Sequence, residues 1–181
     1  MAIQKIFKPE VLPYRLCVGI ALFNHEGKVW AGKRIFKEKN NKNFEKSKLW
    51  QLPQGGLNKG EKPHEAAYRE LWEETGIRSV EFIQEAKEWI SYDFPSQLIG
   101  IALNGKYRGQ KQKWFALRFT GTNDEISIDI NRKGIVSEFD DWMWMNFQDI
   151  PDRVIPFKKD TYKQLVAHFL PILSSFRKND H

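Results

Sequence analysis

The 181-residue chain has one cysteine, Cys17, and no long apolar stretch. A single cysteine excludes an internal disulfide framework and a zinc site built from cysteines. No run of residues approaches the roughly 18 apolar residues that a membrane span requires. The N-terminal Met-Ala-Ile-Gln-Lys-Ile also lacks the apolar core of a signal peptide. We therefore expect a cytoplasmic protein that does not enter a membrane.

Several sequence motifs of common hydrolases and nucleotide-binding proteins are missing as well. The chain contains no Gly-x-Ser-x-Gly nucleophile motif and no Walker-type phosphate loop. None of its four histidines is spaced to pair with another as metal ligands. A hydrolase that uses a Ser/His or Cys/His pair is therefore disfavoured.

The composition is that of a globular and basic protein. Hydrophobic residues make up 41% of the chain, and 29 basic against 23 acidic residues give a net charge of +6. This excess suits a polyanionic partner such as a nucleotide or RNA, although a solvated lysine-rich surface is the simpler explanation of the composition alone. The length predicts a single domain over residues 1–181.

Hydrophobic patterning predicts strands and two helices. A polar surface loop is predicted at Lys37–Lys48. A helix is predicted at Pro63–Thr75, with Pro63 at its first position and Gly76 just past its end. A second, amphipathic helix includes Tyr162–Leu173, and Pro171 is expected to kink or end it. The predicted strands are Leu16–Phe23, Lys28–Phe36, Val80–Tyr92, Lys113–Phe119 and Asp141–Met145. Such a series predicts a mixed α/β domain in which helices cover a sheet.

Three carboxylates share one face of the first predicted helix. Glu70, Glu73 and Glu74 are spaced i, i+3 and i+4, which places them side by side. Their repulsion destabilises an isolated helix, and a hard divalent cation such as magnesium would relieve it. An ordinary solvated acidic face is the alternative.

A glycine-containing segment, Pro53–Glu61, precedes this helix. Its glycines allow the backbone to approach a bound group closely, and Gly55 could offer its carbonyl to a metal. Arg69 could form a forked hydrogen bond with a neighbouring carboxylate. Loop and helix together predict a site for a metal ion and a pyrophosphate.

These residues resemble the Nudix box. Gly55, five residues, Glu61, seven residues and then Arg69–Ile77 match all nine specified positions of that 23-residue motif. The resemblance implies the Nudix fold, an α/β/α sandwich with a mixed sheet. It also implies hydrolysis of a nucleoside diphosphate linked to another group, with Mg²⁺ or Mn²⁺ as cofactor.

The same resemblance assigns roles to the residues of the motif. Glu70, Glu73 and Glu74 are implied metal ligands, together with the Gly55 carbonyl. Arg69 is implied to orient the glutamates. Glu138, outside the box, is implied as a further ligand or as the base that deprotonates water. The identity of the base stays open.

Five further segments resemble one branch of the family, the bacterial RNA pyrophosphohydrolases and dinucleoside oligophosphate hydrolases. This branch includes the invasion-associated Nudix proteins. The resemblance covers about residues 14–170, and its segments are Tyr14-Arg15, Trp50–Gly56, Gly109–Phe115, Glu138–Trp142 and Val154–Asp160. It implies that Arg15 and Lys113 contact phosphates, and that Arg34 and Phe157 sandwich a base.

The resemblance leaves two substrates open. One is the 5′-triphosphate end of RNA, whose cleavage favours mRNA decay, and the other is a dinucleoside polyphosphate such as diadenosine tetraphosphate, cut to ATP and AMP. Leu16-Cys17 in place of Pro-Asn, and the lack of a basic tail, favour the small substrate, whereas the charge of +6 favours RNA. A non-catalytic Nudix domain that senses nucleotide or RNA is the alternative function, and no stable protein partner is inferred.

Overall fold

A mixed sheet forms the centre of the computed structural model, which describes residues 11–35, 49–129 and 136–176. The predicted loop at Lys37–Lys48 lies outside these ranges. Within them the strands are β1 (Tyr14–Phe23), β2 (Val29–Arg34), β3 (Trp50–Gln51), β4 (Gln54–Gly56), β5 (Val80–Glu85), β6 (Ile90–Asp93), β7 (Gly109–Phe119) and β8 (Phe139–Met145). In these same ranges, no helix is long and apolar enough to cross a membrane.

The strand order places β1 and β7 at the middle of the sheet. The main path runs β3-β2-β1-β7-β5, with β4 paired to β1, β6 to β7 and β8 to β2. β1 and β7 are parallel, with Tyr14 opposite Gly109 and Phe23 opposite Arg118. The other strand pairs in this arrangement are antiparallel.

One helix covers each face of the sheet. Because side chains alternate along a strand, β1 contributes to two separate apolar clusters. Val18 and Ile20 pack towards α1 (Pro63–Thr75), beside Leu71. Ala21 and Phe23 pack towards α2 (Lys159–Phe176). The α/β/α sandwich implied by the sequence is therefore confirmed.

The first helix has the bounds that the sequence predicts. It begins at Pro63, whose fixed φ suits a helix start. It ends before Gly76, which adopts a left-handed conformation with φ 77° and donates its N–H to the Trp72 carbonyl at 2.9 Å. Leu71 and Thr75 are fully buried, and the neighbouring positions Glu70 and Glu74 lie against β4.

The segment predicted as one strand, Val80–Tyr92, is interrupted. Glu85 lies opposite Phe115 and Ile90 lies opposite Gln112, so four residues face only two on β7. The ladder cannot continue across this excess, and the chain forms β5 and β6 instead. The prediction of a single strand was wrong because the pairing register is not visible in the sequence.

The second helix continues through Pro171 and ends at Phe176. Pro171 lacks an N–H, so the helix forgoes one backbone hydrogen bond there. Leu165, Phe169 and Leu173 nevertheless keep one apolar stripe buried against the sheet. Of the two outcomes expected at this proline, an end of the helix was therefore wrong.

Candidate active site

The short strand β4 separates two chemically different surfaces. The Glu70 carboxyl group, from α1, occupies the position that a Cβ on Gly55 would need. The Arg15 guanidinium crowds Gly56 from the opposite face in the same way. Any side chain at these two positions would displace a charged group, which explains the glycine pair physically. The acidic surface that contains Glu70 and the basic surface that contains Arg15 are thus separated by the backbone of the three-residue strand β4.

Arg69 is the hydrogen-bonding centre of the acidic surface. Its guanidinium donates to both Glu61 oxygens at 2.7 and 2.8 Å, and to the Gly56 carbonyl at 2.9 Å. It also donates to Glu70 at 2.7 Å and to Glu73 at 3.1 Å. Its side chain is only 24% exposed, so these are charge-assisted bonds with limited competition from water. These contacts are what an orienting role for Arg69 would require, and that role stays a prediction.

Three carboxylates of this surface, those of Glu70, Glu74 and Glu138, repel one another. Burial raises the pKa of Glu74 well above its ordinary range, and the nearby charges of Glu138 and Glu70 raise it further. The Gln54 backbone N–H donates to Glu74 at 3.1 Å and opposes that shift. Burial likewise raises the pKa of Glu70, and Arg69 opposes it. A bound cation would remove the same repulsion.

Glu138 reaches this surface from a distant part of the sequence. It immediately precedes β8, and its carbonyl accepts the Ile35 N–H at 2.9 Å. Its side chain is exposed, yet its charge acts on Glu74 and Glu70. The fold therefore brings Glu138 towards the glutamates of α1.

The donor set suits a hard divalent cation, which prefers oxygen ligands. Among the residues that the structure describes, no three acidic, histidine or cysteine side chains are already arranged as a metal cluster. Glu70 and Glu73 point to Arg69 instead. The case for a divalent cation at this site therefore rests on the mutual repulsion of Glu70, Glu74 and Glu138 and on the nearby backbone of Gly55.

A buried polar cluster lies on the other face of β4, and sequence reasoning missed it. Lys158 is only 4% exposed and donates to Gln51 at 2.9 Å and to Gln54 at 3.2 Å. Burial, together with the Arg34 charge, lowers the pKa of Lys158 to about 7. In the sequence Lys158 is followed by a second lysine, a pattern that is typical of solvated surface charge.

Part of this cluster had a signal in the sequence. Gln110 and Gln112 alternate with lysines in the first half of β7, four and two residues before Trp114, and both glutamine side chains are buried. Polar side chains at buried strand positions need hydrogen-bonding partners. Tyr92 supplies one, because its hydroxyl donates to Gln110 at 2.7 Å.

Three of the predicted substrate-contacting residues surround this cluster. Arg15 covers Gly56, and Arg34 ends β2 close enough to affect Lys158. Phe157 is partly buried, and its ring centroid lies 5.8 Å from that of Tyr92. Their contacts with phosphate or base stay predictions.

Lys113 has protein partners in this structure. Its Nζ donates to the Lys87 carbonyl at 3.1 Å and lies 3.6 Å from Glu85 Oε1. These contacts tie Lys113 to the connection between β5 and β6. A phosphate contact would require the side chain to turn away from this tie.

Comparison with known proteins agrees with this architecture. A family model described as NUDIX domain matches residues 13–165. The RNA pyrophosphohydrolase of Bartonella clarridgeiae is 54% identical over 160 residues, covering 88% of this chain and 92% of that protein. The RNA pyrophosphohydrolase of Mesorhizobium japonicum is 52% identical over 160 residues, with the same two coverages of 88% and 92%.

Two solved structures share the fold at low sequence identity. A binary complex of C. elegans Ap4A hydrolase has a TM-score of 0.57 and 17% identity, covering 87% of this chain and 98% of that one. The E. coli dihydroneopterin triphosphate pyrophosphohydrolase has a TM-score of 0.59 and 16% identity, covering 86% and 98%. At these identities the likeness concerns the fold alone.

Proposed function

This chain belongs to the Nudix family of hydrolases, and on that premise we propose that it removes pyrophosphate from the 5′-triphosphate end of RNA. The observation that carries the proposal is the junction at β4, where an Arg69-centred glutamate surface meets a basic and polar surface. The two surfaces match the two parts of a 5′-terminal nucleotide. Its phosphates need a bound cation and basic side chains to neutralise their charge, and its base needs a separate contact.

The relatives favour RNA over a dinucleoside polyphosphate. Proteins 54% and 52% identical to this chain are named RNA pyrophosphohydrolases. The Ap4A hydrolase is only 17% identical, and its likeness extends to the fold and no further. The positive net charge of +6 also suits a polyanion such as RNA. We propose the cytoplasm as the place where this reaction occurs.

Nudix hydrolases generally use divalent metal ions, and we propose Mg²⁺ or Mn²⁺ for this chain. Glu70, Glu74 and Glu138 would hold the ion with the Gly55 carbonyl, and Glu73 would join them once released from Arg69. A bound ion supplies charge neutralisation for the phosphate oxygens and a lowered pKa for a coordinated water.

The chain's own residues would prepare the site for hydrolysis. Arg69 holds Glu70 in place against Gly55, and the Gln54 N–H holds Glu74. A carboxylate of this surface would accept the proton of the attacking water. Arg15, on the other face, and Lys113, on the face of β7 that also carries Leu117, would contact phosphates, and Arg34 with Phe157 would enclose a base.

A competition assay tests the substrate. Purified protein with Mg²⁺ receives 5′-triphosphate RNA and diadenosine tetraphosphate together, and kcat/KM is measured for each. We expect the larger value for RNA. A larger value for the dinucleotide would replace the proposed substrate, and binding of either without turnover would indicate a non-catalytic Nudix domain.

A further inference from the structure

Hydrogen bonds among four side chains connect the interior of the sheet to β4; the four residues are Trp114, Gln112, Gln110 and Gln54. Gln112 is fully buried and occupies the centre of this chain of contacts. Its Nε2 donates to Gln54 Oε1 at 3.1 Å and to Gln110 Oε1 at 3.1 Å, while its Oε1 accepts from the Trp114 indole at 3.1 Å. Both hydrogens of the amide and one oxygen lone pair are therefore used inside the protein.

Trp114 determines which way the Gln112 amide points. An indole nitrogen can only donate, so the Gln112 oxygen must face Trp114 and its nitrogen must face Gln54. The indole itself cannot move easily, because its ring lies directly over Gly19, where a Cβ would come within 2.6 Å of it. It also packs edge-on against Tyr162, with ring centroids 5.8 Å apart.

Lys158 completes the orientation of Gln54. Lys158 Nζ and the Gln112 amide both donate to Gln54 Oε1, at 3.2 and 3.1 Å. Gln54 Oε1 therefore has two donors, and its Nε2 is turned towards Gln110, at 3.5 Å. The side chain is held in one orientation from two directions.

The acidic surface depends on the backbone of this same residue. The Gln54 N–H donates to Glu74, and the next residue, Gly55, lies against Glu70. We infer that Gln112 is a positioning residue: through Gln54 it fixes the backbone that supports Glu74 and Glu70. This inference rests on the proposed function. Gln112 lies on the opposite face of β4 and acts without touching substrate.

Replacement of Gln112 and Trp114 separates positioning from stability. Gln112→Met keeps the length of the side chain but leaves the Trp114 N–H buried without a partner, which destabilises the fold. Adding Trp114→Phe removes that orphaned donor but leaves a cavity at a fully buried position, so the double variant changes stability without restoring the contact between Gln112 and Gln54. Leu117→Val, on the same strand but facing α1, is the control for a purely structural perturbation.

The readouts are melting temperature, kcat and KM for 5′-triphosphate RNA, and Mn²⁺ affinity measured by electron paramagnetic resonance without substrate. Residues that support metal ligands typically change metal affinity or activity by roughly 10- to 100-fold. We expect such losses in kcat and in Mn²⁺ affinity for Gln112→Met, with KM changed less. The double variant should stay impaired in both, whichever way its melting temperature moves relative to that of Gln112→Met.

Recovery of kcat and Mn²⁺ affinity in the double variant would overturn the inference, because the losses in Gln112→Met would then come from the orphaned Trp114 N–H and not from the missing contact with Gln54. Losses no greater than those of Leu117→Val would overturn it as well. If the wild-type protein does not hydrolyse RNA, the proposed function fails, and the comparison of Mn²⁺ affinities still decides the positioning role.

Discussion

The forked ion pair between Arg69 and Glu61 gives the sharpest stability prediction. Both Glu61 oxygens accept from Arg69, and one of them also accepts the Asn58 backbone N–H at 2.8 Å. Glu61→Gln keeps the shape of the side chain but replaces one acceptor with an amide that can only donate. That amide then faces the donors of Arg69, so the fork cannot form.

The size of the effect follows from the burial of the pair. A hydrogen bond to a charged group contributes about 1.5–3 kcal/mol when it is sheltered from water. The Arg69 and Glu61 side chains are 24% and 13% exposed, which places the loss within the lower part of that range, at about 2 kcal/mol. For a chain of this size we expect the melting temperature to fall by roughly 4–8 °C.

The pH dependence of this loss has a definite sign. Arg69 lowers the pKa of the Glu61 carboxyl group in the folded protein. Such a group contributes stability above its unfolded pKa of about 4.3, and that contribution is lost as the pH falls through the folded pKa. The difference in stability between wild type and Glu61→Gln should therefore be constant near neutral pH and shrink in acid.

Thermal melts monitored by circular dichroism, from neutral pH into acid, measure both quantities. The matched control is Glu26→Gln, because Glu26 also pairs with a cation, Lys28, at 2.7 Å, but with side chains 50% and 44% exposed. We expect this exposed pair to contribute little. A melting temperature unchanged in Glu61→Gln, or a loss equal to that of Glu26→Gln, would refute the reasoning.

Three further substitutions test the contacts of the site. Gly55→Ala should sharply reduce kcat while the fold persists, because the added Cβ displaces the Glu70 carboxyl group, and normal turnover would contradict the close approach. Phe157→Ala should raise KM for a nucleotide substrate, whereas an unchanged KM together with a lower melting temperature would indicate a packing role only. Lys113→Met should raise KM if the side chain turns to phosphate; loss of stability alone would leave it as the tie to the connection between β5 and β6.

The parts of the fold that depend on local patterns could be predicted from the sequence. The bounds of α1 followed from Pro63, from the left-handed Gly76 and from the spacing of apolar residues between them. The split between β5 and β6 could not, because it depends on how many residues of β7 lie opposite each segment. The continuation of α2 through Pro171 could not be predicted either, because it depends on packing against the sheet that outweighs the effect of the proline.

The candidate site divides in the same way. The spacing of Glu70, Glu73 and Glu74 is enough by itself to place them on one face of a helix. The burial of Lys158 and its two glutamine partners depends on contacts between residues 104 and 107 positions apart. Periodicity carries no information about such contacts, so the orientation of Gln54 follows only from the fold.

The most direct test of the account is metal-dependent turnover of 5′-triphosphate RNA by wild type and by Glu74→Gln, with folding of both checked by circular dichroism. Wild type should release pyrophosphate only when a divalent ion is present, and should stop when the ion is chelated. Glu74→Gln should lose most of this turnover while remaining folded. Near-normal turnover by Glu74→Gln, or turnover by wild type that survives chelation, would contradict the proposed metal-dependent mechanism.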